Sequence, residues 1–221
     1  MCPSRIGGCF VKGTLVHTRE GLRPIEDLRE GDDVLSSPED GSGEAVYKRV
    51  LKTFVHEHKT IRQVIADWGQ VGRIEMVAAT GDHPFWVEGV GWTRCDRLNR
   101  ASVLRLTDGR PGSVMRQYPV YRTEEPGVGW TQSMADVETS HGNRYDYQNA
   151  KGRPMGGFDD IVSKAVLHSD DPFLTVTVYN IEVEDYHTYY VGKTGFWVHN
   201  GNCQGIVPSR RRAIVTAAQP G

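Results

Sequence analysis

Apolar and polar positions alternate along this chain in short runs separated by glycine and proline, and no window carries the three-to-four-residue stripe of a long amphipathic helix. The pattern predicts strands at Thr14–Thr18, Asp33–Ser36, Val46–His56, Thr60–Asp67, Arg73–Thr80, Pro84–Glu88 and Ser102–Thr107. It predicts further strands at Phe173–Glu184, Thr188–Val191 and Phe196–His199. The cleanest alternation runs from Tyr179 to Glu184, with Tyr179, Ile181 and Val183 on one face. One short helical turn is expected at Pro24–Leu28, where proline opens it and acidic residues follow. The fold class is therefore all-β, with helix scarce.

Residues 108–161 break this rhythm. Glycine, proline, asparagine and arginine are frequent there, so a loop-rich insertion is expected, anchored by its aromatic residues against something else. Residues 201–221 read as a flexible C-terminal flank and residues 1–8 as an N-terminal one, leaving 9–200 as the domain proper. No repeat of fixed period is apparent.

Charge and cysteine content narrow the function. The 26 Lys+Arg against 28 Asp+Glu leave a formal charge of −2, which gives no field for nucleic acid or an anionic membrane. Cys2, Cys9, Cys95 and Cys203 are too scattered for a disulfide scaffold or a zinc site. His56 and His58 would share a strand face, but nothing completes a metal set around them. No cofactor is expected.

Three stations carry candidate chemistry. Cys9 follows Gly8 and precedes a strand, so its thiol is placed to attack the Gly8 carbonyl and turn that amide into a thioester. Thr80-Gly81-Asp82-His83 offers a proton donor in His83 and a positioning hydroxyl in Thr80, with Asp82 between them; a structural histidine fits the same pattern. Phe196-Trp197-Val198-His199-Asn200 ends an apolar strand on two polar residues. The Asn200 side-chain nitrogen can attack its own main-chain carbonyl, closing a succinimide and releasing Gly201, while His199 polarises that carbonyl or protonates the leaving nitrogen. An Asn-Gly turn, or deamidation without chain cleavage, fits the same residues.

In order, five segments resemble the Hint superfamily of inteins, bacterial intein-like domains and hedgehog autoprocessing domains. They are Cys9-Phe10-x-x-Gly13-Thr14-x-Val16, Gly21 to Val34, Thr80–His83 with Pro84–Val87, Val178–Val191, and Val198-His199-Asn200. The resemblance implies an all-β horseshoe with pseudo-twofold halves, in which Cys9 and Asn200 meet. It implies single-turnover cleavage of the chain's own backbone at Gly8–Cys9 and Asn200–Gly201, with the flanking segments as substrate and His187 assisting Asn200. It is similar to the subset that precedes toxin domains in bacterial proteins, so a downstream toxin, a monomeric state, and either a bacterial cytoplasmic or a secreted-toxin setting are expected. At 108–161 the chain is too short for a homing endonuclease.

Two departures stand out. Asn180 takes a position where many inteins have aspartate, and Gly201 follows Asn200 where splicing needs Cys, Ser or Thr. Separate cleavages are then the expected outcome, with Cys203 as the alternative acceptor. The competing readings are an idle linker module presenting a toxin, and a Cys9–His83 hydrolase acting in trans.

Overall fold

The computed structural model describes residues 8–69, 73–132, 141–157 and 170–201, with backbone alone at 132, 141 and 152–157. Strands β1 (Phe10–Val11), β2 (Leu15–Thr18), β3 (Gly21–Pro24), β4 (Asp33–Ser36) and β5 (Val46–Asp67) form the first half. Strands β6 (Ile74–Thr80), β7 (Pro84–Val87), β8 (Gly91–Arg94), β9 (Val103–Arg105) and β10 (Pro111–Pro119) follow. The chain then runs through β11 (Tyr121–Arg122), β12 (Val128–Gln132), β13 (His141–Asp146) and β14 (Lys151–Gly157). It closes with β15 (Thr175–Val183), β16 (Thr188–Val191) and β17 (Phe196–His199). Helix among the described residues is limited to two 3-10 turns, at Ile25–Asp27 and Cys95–Arg97, the first inside the segment expected to be helical.

Strand β5 ties the molecule together. Its first residues pair with β4, Val50 to Thr60 pair with β15, and Ile61 to Asp67 lie between β6 and β10. The two strands expected at 46–56 and 60–67 are one, because the residues between them form a bulge rather than a turn. Opposite Val176 and Val178, β5 carries an extra residue, and His58 absorbs it with a left-handed φ of 54°. That bulge also removes the simple alternation on which a shared face for His56 and His58 depended.

The halves are related by an internal repeat that the residue identities hide. The hairpin β2–β3, its 3-10 turn and β4 recur 69 to 70 positions later as β7–β8, the second 3-10 turn and β9. The hydrogen bonds recur with them: Ile25 N–H donates to Thr14 O at 2.8 Å, and Cys95 N–H to His83 O at 2.7 Å. Only anchors such as Gly21/Gly91 and Leu28/Leu98 keep their identity, since both glycines take a positive φ and both leucines are buried. The absence of a visible repeat is corrected accordingly, and the pseudo-twofold horseshoe is the observed architecture.

The insertion is not loop-rich where it is described. β10 joins the main sheet on β5 and β9, and β11–β14 form a separate antiparallel meander. Its glycines serve close packing: a methyl group at Gly129 would collide with Val120, Tyr147 and Leu174, and one at Gly142 with Trp130. Thr131 donates to Gln63 Oε1 at 2.9 Å, docking the meander on β5.

Two apolar clusters fill the interior. The larger includes Phe10, Val16, Phe85, Ile181, Tyr189 and Val198; the smaller joins Cys9, Val11, Leu174 and Val178 to Val120 and Tyr147 from the insertion. Phe10 and Tyr189 are both fully enclosed, which fixes the strand ends carrying the candidate chemistry.

Candidate functional site

β1 is only two residues long, yet it is wedged between β15 and β6, with Phe10 opposite both Tyr179 and Ala79. This places Cys9 beside the end of β6. Thr80 N–H donates to Cys9 O at 2.9 Å, Cys9 N–H donates to Thr80 Oγ1 at 2.9 Å, and Thr80 Oγ1–H donates to Asp82 Oδ1 at 2.6 Å. The nitrogen of the Gly8–Cys9 bond is therefore held by a hydroxyl that leans on a carboxylate. On its other side Gly8, at φ 74°, packs on His83: a methyl group there would lie 2.5 Å from His83 Cα and 2.6 Å from Nδ1. Only glycine fits this approach.

His83 is fully buried, its ring 4.1 Å from that of Phe10. Neither ring nitrogen makes a hydrogen bond of good geometry. Burial pushes its pKa down to about 3, against the opposing pull of Asp82 and the nearby Gly8 backbone, so the ring is neutral at ordinary pH. The Cys9 thiol is buried too and pushed up to about 12, chiefly by desolvation, with Asp82 acting in the same direction and Lys59 against it. The Cys9 side chain is therefore a protonated thiol at ordinary pH, and no Cys9–His83 hydrogen bond of the kind a Cys-His hydrolase needs is present. A cavity of about 480 Å³ opens beside Gly8 and Cys9, lined also by Lys59, Arg62, Thr80 and Asp82.

The third station lies where β17 leaves the sheet. Asn200 N–H donates to His187 O at 2.9 Å. The Asn200 carbonyl accepts from Asn180 Nδ2 at 3.1 Å, and the amide of Asn180 is oriented by Tyr189 OH and Ile181 N–H, both donating to its Oδ1 at 2.8 Å. Gly201 N–H donates to His199 Nδ1 at 2.7 Å. Both ends of the Asn200–Gly201 bond are thus contacted by polar side chains. Among the described residues, the buried Asn200 Nδ2 has no hydrogen-bond partner. His199 Nε2 faces Glu39 Oε2 at 3.0 Å; burial lowers its pKa and Glu39 opposes that.

The stations share one floor. The Phe10 ring touches His83 and lies 6.3 Å from Tyr189, whose hydroxyl holds Asn180, and His199 is near enough to add to the lowering of the His83 pKa. Cys9, Thr80, Asp82, His83, Asn180, His199 and Asn200 are thereby brought together, with Gly8 and Gly201 beside them. His187 joins through its carbonyl rather than its ring: the half-exposed imidazole meets Glu182 Oε1 at 2.6 Å, with its centroid 6.4 Å from that of His199. Cys203 lies outside the described residues. Sequence reasoning missed Glu39 and Tyr189. Tyr189 reads as an ordinary apolar strand position, and nothing local links Glu39 to a histidine 160 positions away.

Solved structures with this architecture define the class. The chain is similar to a bacterial intein-like domain from Clostridium thermocellum, with a TM-score of 0.54 and 25% identity over 89% of this chain and all of that one. It is similar in fold to the gp41-1 intein (TM-score 0.51, 16% identity, 88% of this chain and 99% of that one). The same holds for a DnaB intein from Synechocystis sp. PCC 6803 (0.53, 13%, 88% and 99%). The fold is that of a domain of the autoprocessing and splicing type. The family model of the pretoxin HINT domain matches residues 15–149, more than half of the chain, and the protein belongs to that family. No curated protein matches the sequence.

Proposed function

We propose that this domain cleaves its own backbone at Gly8–Cys9 and at Asn200–Gly201, and that the second cleavage frees a toxin segment downstream in a larger protein. The observation that carries the reading is the pair of contacts on the Asn200–Gly201 bond: Asn180 Nδ2 on the carbonyl oxygen and His199 Nδ1 on the departing nitrogen.

At the C-terminal bond, Asn200 Nδ2 attacks the Asn200 carbonyl carbon. Negative charge develops on an oxygen that already accepts from Asn180, so the donor needs no reorganisation. The C–N bond breaks as Gly201 nitrogen takes a proton from His199, protonated at Nδ1 for this step; the proton lost by Nδ2 balances the one gained. Asn180, rather than the aspartate common at this position, suits this task, because an amide donates where a carboxylate only accepts.

At the N-terminal bond, Cys9 sulfur adds to the Gly8 carbonyl as the thiol gives up its proton, the Gly8–Cys9 bond breaks, and the Cys9 nitrogen gains a proton in balance, leaving a thioester and a free amine. Thr80 and Asp82 hold that nitrogen, and neutral His83, against Gly8, supplies an N–H donor. Water or an external thiol entering by the adjoining cavity then takes the acyl group. A glycine at 201 cannot receive it, which favours two separate cleavages over splicing. The alternative of an idle presenting module draws on the high pKa of the Cys9 thiol.

The test is a fusion carrying folded partners at both ends, followed by intact mass with and without added thiol. Loss of the C-terminal partner that stops in Asn200→Ala, and thiol-stimulated loss of the N-terminal partner that stops in Cys9→Ala, are expected. Intact fusions under all conditions would favour the idle module.

A further inference from the structure

The geometry points to Glu39 as the positioning residue that sets the tautomer and charge of His199 for cleavage at Asn200–Gly201, an inference that rests on the reading above. Gly201 N–H donates to Nδ1, so the neutral ring carries its proton on Nε2, and that N–H donates to Glu39 Oε2 at 3.0 Å. When Nδ1 then acquires a proton, the imidazolium is flanked by a carboxylate on one side and by the nitrogen it must protonate on the other.

The loop bearing Glu39 is built to hold it there. Pro38 to Gly41 forms a tight turn closed by Gly41 N–H donating to Pro38 O at 2.9 Å, and Gly41 takes a φ of 81° with no room for a side chain against Trp86. Trp92 Nε1–H donates to the Glu39 carbonyl at 2.9 Å, and its ring lies 5.0 Å from that of His199. Arg105 donates to Gly41 O at 3.1 Å while its guanidinium stacks on Trp86 and Trp197, 5.0 and 5.1 Å from the ring centroids. A tryptophan and arginine platform thus fixes a loop whose single acidic side chain toward the site meets His199.

The other titratable groups around His199 come from three elements. His187, in the turn before β16, disfavours the charged ring, and Glu182 on β15 favours it but is engaged with the His187 imidazole; buried His83, neutral at ordinary pH, adds no charge. Glu39 is the carboxylate in direct contact.

Glu39→Gln keeps an acceptor for the Nε2 proton and removes the charge, so it separates electrostatics from shape. In the two-partner fusion it is expected to slow C-terminal cleavage about tenfold near neutral pH, with the rate recovering when the pH is lowered by about one unit. Thiol-induced cleavage at Cys9 stays unchanged. Independently, imidazole NMR on histidine-labelled chain in an Asn200→Ala background should show the His199 titration midpoint falling in Glu39→Gln. An unaltered midpoint would overturn the assignment whether or not the chain cleaves. A wild-type chain that never cleaves at Asn200, with the midpoint still sensitive to Glu39, would sink the cleavage reading and leave the Glu39–His199 coupling standing.

Discussion

Acidification should destabilise this fold through His83 in particular. The unfolded ring titrates at the ordinary 6.5, whereas burial holds the folded one at about 3. Between those values the unfolded chain binds a proton that the folded chain refuses, so stability is fully present above about 6.5 and declines as the pH falls toward 3. At about pH 5 the separation from 6.5 is about 1.5 pH units, which at 1.36 kcal/mol per unit removes roughly 2 kcal/mol from the folded state. His17 and His199 are also lowered, each chiefly by burial, and add losses of the same sign. The comparison that isolates His83 is urea unfolding at about pH 7 and pH 5 of Asn200→Ala chain with and without His83→Leu. The leucine variant should lose roughly 2 kcal/mol less on acidification, whatever its starting stability. Equal losses in the two chains would refute the claim that a neutral, buried His83 backs the Gly8–Cys9 bond.

Other substitutions probe the remaining contacts. Asn180→Asp sets a carboxylate against the Asn200 carbonyl and should slow C-terminal cleavage by about a hundredfold or more, read by intact mass, while leaving thiol-induced cleavage at Cys9 within about threefold. Thr80→Val removes the acceptor of the Cys9 amide proton, so thiol-induced release of the N-terminal partner should fall about tenfold or more on the same assay. Gly8→Ala forces a side chain into His83 at a left-handed φ, and N-terminal cleavage should be lost while C-terminal cleavage continues.

What the sequence discloses here depends on range. β4 follows from local alternation, and β16 and β17 from short aromatic and β-branched runs bounded by turns, and the limits of all three agree with expectation to the residue. β5 reads as two strands because His58, at the bulge, sits among polar neighbours that look like a loop. The insertion reads as loops because glycine is weighted as a turn former, whereas Gly129 and Gly142 are there to admit Trp130, Tyr147 and Val120. The 70-residue repeat is carried by backbone hydrogen bonds and a few glycine and leucine anchors, which single-residue comparison does not register. In the site, Cys9, Thr80, His83 and Asn200 are legible because their chemistry is unusual at strand ends. Glu39 is an ordinary acidic loop residue until the Trp92 and Arg105 platform brings it to His199. The imidazole of His187, expected at Asn200, instead turns to Glu182, five positions back along the chain, and leaves only its carbonyl at the site.

The most direct test of self-cleavage through asparagine cyclisation is the chemical identity of the new C-terminus at residue 200. High-resolution mass of the fragment ending there, sampled early and at low pH to limit ring opening, should correspond to an aminosuccinimide, one water lighter than a terminal asparagine acid. It should accumulate at a rate independent of protein concentration and be absent from His199→Ala and Asn200→Ala. A fragment that is an ordinary asparagine carboxylate from the earliest time, or a rate that rises with protein concentration, would contradict cyclisation in cis and point to hydrolysis by another molecule.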